Sequence, residues 1–116
     1  MSEPRISAAV GAASPAGEAD LERRFAGVAR LHGRETLRRF AGAHVVVVGI
    51  GGVGSWAAEA LARSALGRIT LIDLDHVAEG NTNRQLHALG DAYGDAKVRA
   101  MASRIAAINP ACAVAA

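Results

Sequence analysis

Gly49, Gly51 and Gly54 stand at the spacing G-x-G-x-x-G, and the residues around them decide what they can do. In that pattern the glycines permit a tight turn, close approach of backbone to phosphate, and close packing of a helix on a strand. Val45-Val46-Val47-Val48 runs into them, and four β-branched residues in a row predict a strand buried on both faces, as in a helix-covered parallel sheet. Helical periodicity follows. Val53, Trp56, Ala57, Ala60, Leu61 and Ser64 fall on one face, expected to be buried, with Glu59 and Arg63 at i,i+4 on the other. Gly67 is the expected stop. Strand, turn and helix start would aim free N–H groups and a positive dipole end at one spot, which is an anion site. The glycine triplet alone is a weak signal, but between such a strand and such a helix it points to nucleotide binding.

Acids and cations come next. Arg68 to Asp75 reads as a second strand ending in Asp73 and Asp75 on one face. Asp73 lies about 20 residues past the glycines, where a dinucleotide fold places the carboxylate that accepts from ribose hydroxyls. The polar segment from His76 to Gly94 is long enough to be functional or to carry short helices, and it holds Asn81-Thr82-Asn83-Arg84-Gln85. Lys97 falls in the first turn of a further helix, where a cation opposes the macrodipole. A nicotinamide or flavin dinucleotide can be held by helix amides alone. ATP bound for chemistry has a longer, more negative tail and needs cations along it, which Arg84 and Lys97 would supply.

Other elements must position these groups. The chain has 116 residues, 51% of them apolar but only 3% aromatic, so the core must be built from close-packed Ala, Val, Leu and Ile. A net charge of +2 is too small to argue nucleic-acid binding by itself. The single cysteine, the lack of any apolar stretch of membrane-spanning length and the absence of a signal-peptide pattern lead to the expectation of a soluble, cytoplasmic protein. Residues 1–18 read as a disordered leader and 19–116 as the folded unit. Asp20 is the expected cap of a helix burying Leu21, Phe25, Val28 and Leu31, and a second helix from Arg34 to Ala41 buries Leu37 and Phe40. Arg23, Arg24, Arg30, Arg34, Arg38 and Arg39 on these helices read first as a solvated face, with phosphate or tRNA contact as the competing reading. The further helix is expected to start at an Asp95 cap, to bury Val98, Met101, Ala102 and Ile105, and to end at Asn109-Pro110. Cys112 to Ala115 opens a third strand, in which Cys112 is a small core residue. The order β-α-β-α-β makes an α/β fold, the first half of a doubly wound parallel sheet, and is read as the N-terminal part of something larger. His32, His44, His76 and His87 lack ligand spacing, so no metal site is assigned. Trp56 reads as packing.

Taken together, Val48 to Ser55, Leu71 to Asp75, Asn81 to Gln85 and Lys97 resemble the adenylation domain of the MoeB/ThiF and ubiquitin-activating-enzyme superfamily, over Leu21 to the C-terminus. Arg24 to Leu31, the run Gly54-Ser55-Trp56-Ala57-Ala58-Glu59-Ala60-Leu61-Ala62-Arg63 and Asn83 to Leu89 are similar to its tRNA threonylcarbamoyladenosine dehydratase branch. The resemblance implies that Gly49, Gly51, Gly52 and Gly54 line bound ATP, that Asp73 holds the ribose with Asp75 near it, and that Asn81, Arg84, Gln85 and Lys97 surround the triphosphate. Arg84 and Lys97 would act on the charge of the reacting phosphates. It also implies Mg²⁺, organised by an aspartate beyond residue 116, tRNA as substrate, and a homodimer whose N-terminal region lends an arginine to the partner. Gly27 stands at that arginine's place, leaving Arg24 or Arg30 as substitutes. Two other readings stay open, a nicotinamide- or flavin-dependent oxidoreductase and a non-catalytic nucleotide-binding module. Residues 1–116 alone are expected to bind ATP weakly and to catalyse nothing.

Overall fold

A computed structural model describes residues 20–116, so the expectation for the leader lies outside the described residues. Strands β1 (His44–Val48), β2 (Arg68–Ile72) and β3 (Ala113–Ala115) form a parallel sheet in the order β1-β2-β3. His44 pairs with Arg68 and Val48 with Ile72, while Arg68 to Thr70 pair with Ala113 to Ala115. The crossovers are made by α3 (Gly54–Arg63) and α4 (Lys97–Ile108), preceded in the chain by α1 (Leu21–His32) and α2 (Arg34–Gly42). Side chains alternate across a strand, so Val47, Ile69, Leu71 and Val114 face α3 and α4 and form the core with Ile50, Ala58, Ala62, Met101, Ala102 and Ile105. The aliphatic, alanine-rich core expected from composition is what forms.

The opposite sheet face differs from expectation. Val46, Val48 and Ile72 are 48%, 74% and 47% exposed, so β1 is covered on one face by the described residues and not on both. Both crossover helices lie on the same side, as successive right-handed crossovers in one direction require.

Helix α3 has the expected period but a different phase. Ser55, Ala58, Glu59 and Ala62 point inward, whereas Trp56 is 53% and Val53 84% exposed. Small side chains let α3 approach the sheet closely, and Glu59 faces Arg104 of α4, which bonds its carboxylate together with Arg63 at 3.2 Å. Nor does Gly67 end the helix. The chain turns at Ala65 with φ 67°, and Gly67 instead admits the Ala41 carbonyl, which would lie 1.7 Å from a Cβ there.

The N-terminal helices brace the base of the sheet. Asp20 caps α1 by accepting from the Arg23 N–H at 3.0 Å, but among the α1 side chains only Phe25 is buried, and Leu31 is 77% exposed. In α2, Leu37 and Phe40 are half-buried. The Arg24 guanidinium donates to the Ala107 and Ile108 carbonyls at 2.9 Å each, capping the C-terminus of α4. At its other end α4 begins after Ala96, because the Asp95 carbonyl is engaged by the Val77 N–H at 2.8 Å. Val98 is only half-buried there. Cys112 is 1% exposed, and burial pushes its thiol up to about 11, as suits a core residue.

The Arg104 hydrogen bond, opposed by burial and aided by Arg63, holds the Glu59 carboxyl below its ordinary value of 4.5. A lowered carboxyl value stabilises the fold above the unfolded value and stops doing so as pH falls through the folded one. Glu59→Gln should therefore cost about 1–2 kcal/mol at neutral pH. That deficit should shrink as pH drops below 4.5, read by urea denaturation of both proteins across the acid range.

Candidate nucleotide-binding site

The glycine loop leaves β1 with Gly49 at φ 86°, a left-handed conformation suited to glycine, while the Gly49 N–H still bonds the Ile72 carbonyl at 2.8 Å. Gly54 lies against Gly49 so closely that a Cβ at Gly54 would sit 1.6 Å from the Gly49 oxygen. Turn and helix–strand approach are thus built from the first and third glycines. Among the described residues, the amides of Gly51, Gly52, Val53 and Gly54 donate to no partner, and α3 has no side-chain cap. A row of unengaged N–H groups at a helix start is an anion cradle.

Ile50 anchors the loop. Its side chain is fully buried, its N–H donates to Asp73 Oδ2 at 2.7 Å, and its carbonyl meets His87 Nε2 at 2.7 Å. Strand β2 stops at Ile72, so Asp73 turns in beneath the loop, and its Oδ1 accepts from the Asp75 N–H at 2.8 Å. Burial raises the Asp73 carboxyl, but the two amide bonds and the Lys97 and His87 charges outweigh it and hold the value below the usual aspartate range. Asp75 itself is exposed, and its carbonyl accepts from the Lys97 N–H at 3.0 Å.

The segment after β2 folds into two short 3₁₀ turns, Glu79–Asn81 and Gly90–Ala92, with buried Gln85, Leu86, His87 and Ala88 between them. Arg84 lies across the glycine loop, its Cγ 3.5 Å from where a Gly52 Cβ would stand. Its Nη1 donates to the Gly80 carbonyl at 3.2 Å and to Asn83 Oδ1 at 2.8 Å. Gln85 is 8% exposed, and its Nε2 lies 3.7 Å from a Cβ built on Gly51, while its Oε1 is buried without a partner. Lys97 opens α4 at 7% exposure, with its charge felt at Asp73. Asn81 is turned away to build its own turn, its Oδ1 accepting from the Ala78 N–H at 2.8 Å.

The structure therefore gathers Gly51, Gly52, Gly54, Asp73, Arg84, Gln85 and Lys97 around one end of the sheet. Sequence reading missed two contributors. His87 carries no spacing signal, and its role follows only from the fold. Trp56, read as packing, points outward, and its indole N–H donates to the Arg84 carbonyl at 2.9 Å.

A glycine loop at the C-terminal end of parallel strands, with an acid at the end of β2 and Arg84 and Lys97 beside it, is the arrangement of a Rossmann-like α/β domain. The chain belongs to the ThiF family, whose model matches residues 21–116. It is 64% identical over 91 residues to the tRNA threonylcarbamoyladenosine dehydratase of Escherichia coli K12, covering 78% of this chain and 34% of that protein. To the Bacillus subtilis enzyme of the same name it is 56% identical over 82 residues, covering 71% and 32%. Among solved structures it matches the E. coli dehydratase TcdA in complex with ATP, at TM-score 0.81 and 60% identity, over 84% of this chain and 40% of that one. The chain thus spans about a third of the length of the curated relatives it matches. No helix among the described residues is long and apolar enough to cross a membrane.

Gly54→Ala should shift or unfold the loop, since its Cβ would overlap the Gly49 oxygen, at a cost of about 3 kcal/mol. A lowered melting temperature together with lost ATP binding is the expected result. A Gly54→Ala protein of native stability would show that the close approach is not needed.

Proposed function

We propose that residues 19–116 form the ATP-binding part of an enzyme that adenylates a carboxylate, the threonylcarbamoyl group on adenosine in tRNA. The observation that carries this reading is the row of unengaged amides from Gly51 to Gly54 flanked by Arg84, Lys97 and Asp73. The likeness to named dehydratases supports the choice of carboxylate.

In this reading Asp73 accepts from the ribose hydroxyls while the loop amides hold phosphate oxygens. Asp75 stands nearby, Gln85 lines the loop, and Asn81 shapes the turn that presents Arg84. A carboxylate oxygen attacks the α-phosphorus, the bond to the bridging oxygen breaks, and pyrophosphate leaves with that electron pair. The mixed anhydride then permits ring closure with release of AMP, for a net loss of water. Arg84 and Lys97 neutralise charge that grows as pyrophosphate departs. A nicotinamide or flavin dinucleotide, with its shorter anionic tail, needs these cations less.

Mg²⁺ belongs to the proposal as a counter-ion of ATP. The described residues include no group of three His, Cys, Asp or Glu side chains able to hold a metal. The whole enzyme is proposed to be a cytoplasmic homodimer. Of the arginines considered for a partner's site, Arg24 is engaged on α4, while Arg30 is exposed.

Arg84→Ala and Lys97→Ala should each lower kcat for pyrophosphate release at saturating ATP by about 100-fold, with a smaller change in KM. The assay uses tRNA bearing threonylcarbamoyladenosine and a protein carrying this chain with the remaining length of its relatives. A variant that raised KM alone would contradict its assignment to transition-state charge.

A further inference from the structure

Trp56 is the chain's single tryptophan, yet it contributes little to the core. It stands in the first turn of α3, 53% exposed, beside the glycine loop. An indole left half in water at a helix start gains little from burial, but it keeps a directional N–H donor. That donor meets the Arg84 carbonyl at 2.9 Å. The Arg84 N–H separately bonds the Asn81 carbonyl at 3.1 Å, so the arginine's peptide frame is tied on both sides. The guanidinium is tied less firmly, by Nη1 contacts to Gly80 and Asn83 within an exposed segment.

We propose that Trp56 is a positioning residue, which fixes to the first turn of α3 the main-chain point from which Arg84 reaches over the glycine loop. The proposal rests on the adenylation reading and deepens it. An arginine has long, rotatable reach, so its usefulness in a transition state depends on where its main chain starts. A displacement of about 1 Å is enough to cost a large factor in rate. Because α3 also carries Gly54 and ends the amide cradle, the indole bond makes cradle and cation parts of one frame. ATP binding that re-seats the guanidinium would then be felt at the indole.

Trp56→Phe keeps an aromatic ring and removes the donor. In a protein carrying this chain with the remaining length of its relatives, it should lower kcat for ATP-dependent pyrophosphate release about 3- to 10-fold with KM for ATP within about twofold. In an Arg84→Ala background the same change should have no further effect, because there is no guanidinium left to position. An unchanged kcat in Trp56→Phe, or an equal fold-loss in both backgrounds, would overturn the proposal. A measurement without turnover separates it from the reading beneath it. On adding ATP, the Trp56 indole N–H resonance should shift along with the Gly51 and Gly52 amides, and Arg84→Ala should diminish the indole shift alone. Glycine shifts with a silent indole would overturn the role of Trp56 and leave the nucleotide site standing. No shift in any of them would overturn the nucleotide site, and the proposal with it.

Discussion

The Ile50 peptide is held from two directions, and the glycine loop keeps its shape because of it. Asp73 takes the N–H and His87 meets the carbonyl, each at 2.7 Å, with the Ile50 side chain fully buried below. A loop rich in glycine has many conformations to lose. Engaging both polar groups of its one buried residue fixes the turn without touching the amides beyond it. The amides of Gly51 to Gly54 stay without a partner among the described residues. The Asp73 carboxylate thus has two tasks, bracing the loop and, in the proposed function, binding ribose.

Close approach is the second constraint, and it explains the composition. Ser55, Ala58 and Ala62 on the inner face of α3 and Gly54 at its start let the helix lie against β1, with the Gly54 site against the Gly49 oxygen. Larger side chains there would push α3 outward and carry the cradle, Trp56 and the Arg84 contact with it. At the far end, Arg24 on the last carbonyls of α4, Gly67 on α2 and Asn109 Nδ2 on the Leu66 carbonyl at 3.1 Å close the base. The site at one end therefore draws its rigidity from polar contacts at both.

Much of this was legible in the sequence, for physical reasons. A valine run followed by spaced glycines is a strong local instruction, and the Asp73 position follows from the length of one βαβ crossover. The phase of α3 was not legible, since alanines occur all round the helix and the charged Glu59 lies on its inner face. Glu59 reads as solvated until Arg104, 45 residues away, is brought to it. His87 likewise acquires its role only through Ile50, 37 residues before it. A run of β-branched residues does not say which chain segments cover each face, and among the described residues Val46 and Val48 lie on the uncovered one. The misplaced stop at Gly67 is similar, because that glycine answers to Ala41 rather than to the helix it follows.

Cations set beside the cradle should suit a triphosphate better than a dinucleotide. Calorimetric titration of the protein with ATP and with NAD under the same conditions measures the difference. ATP should bind tighter by about tenfold or more, a difference of roughly 1.4 kcal/mol. Equal affinities, or tighter binding of NAD, would contradict a site shaped for a triphosphate.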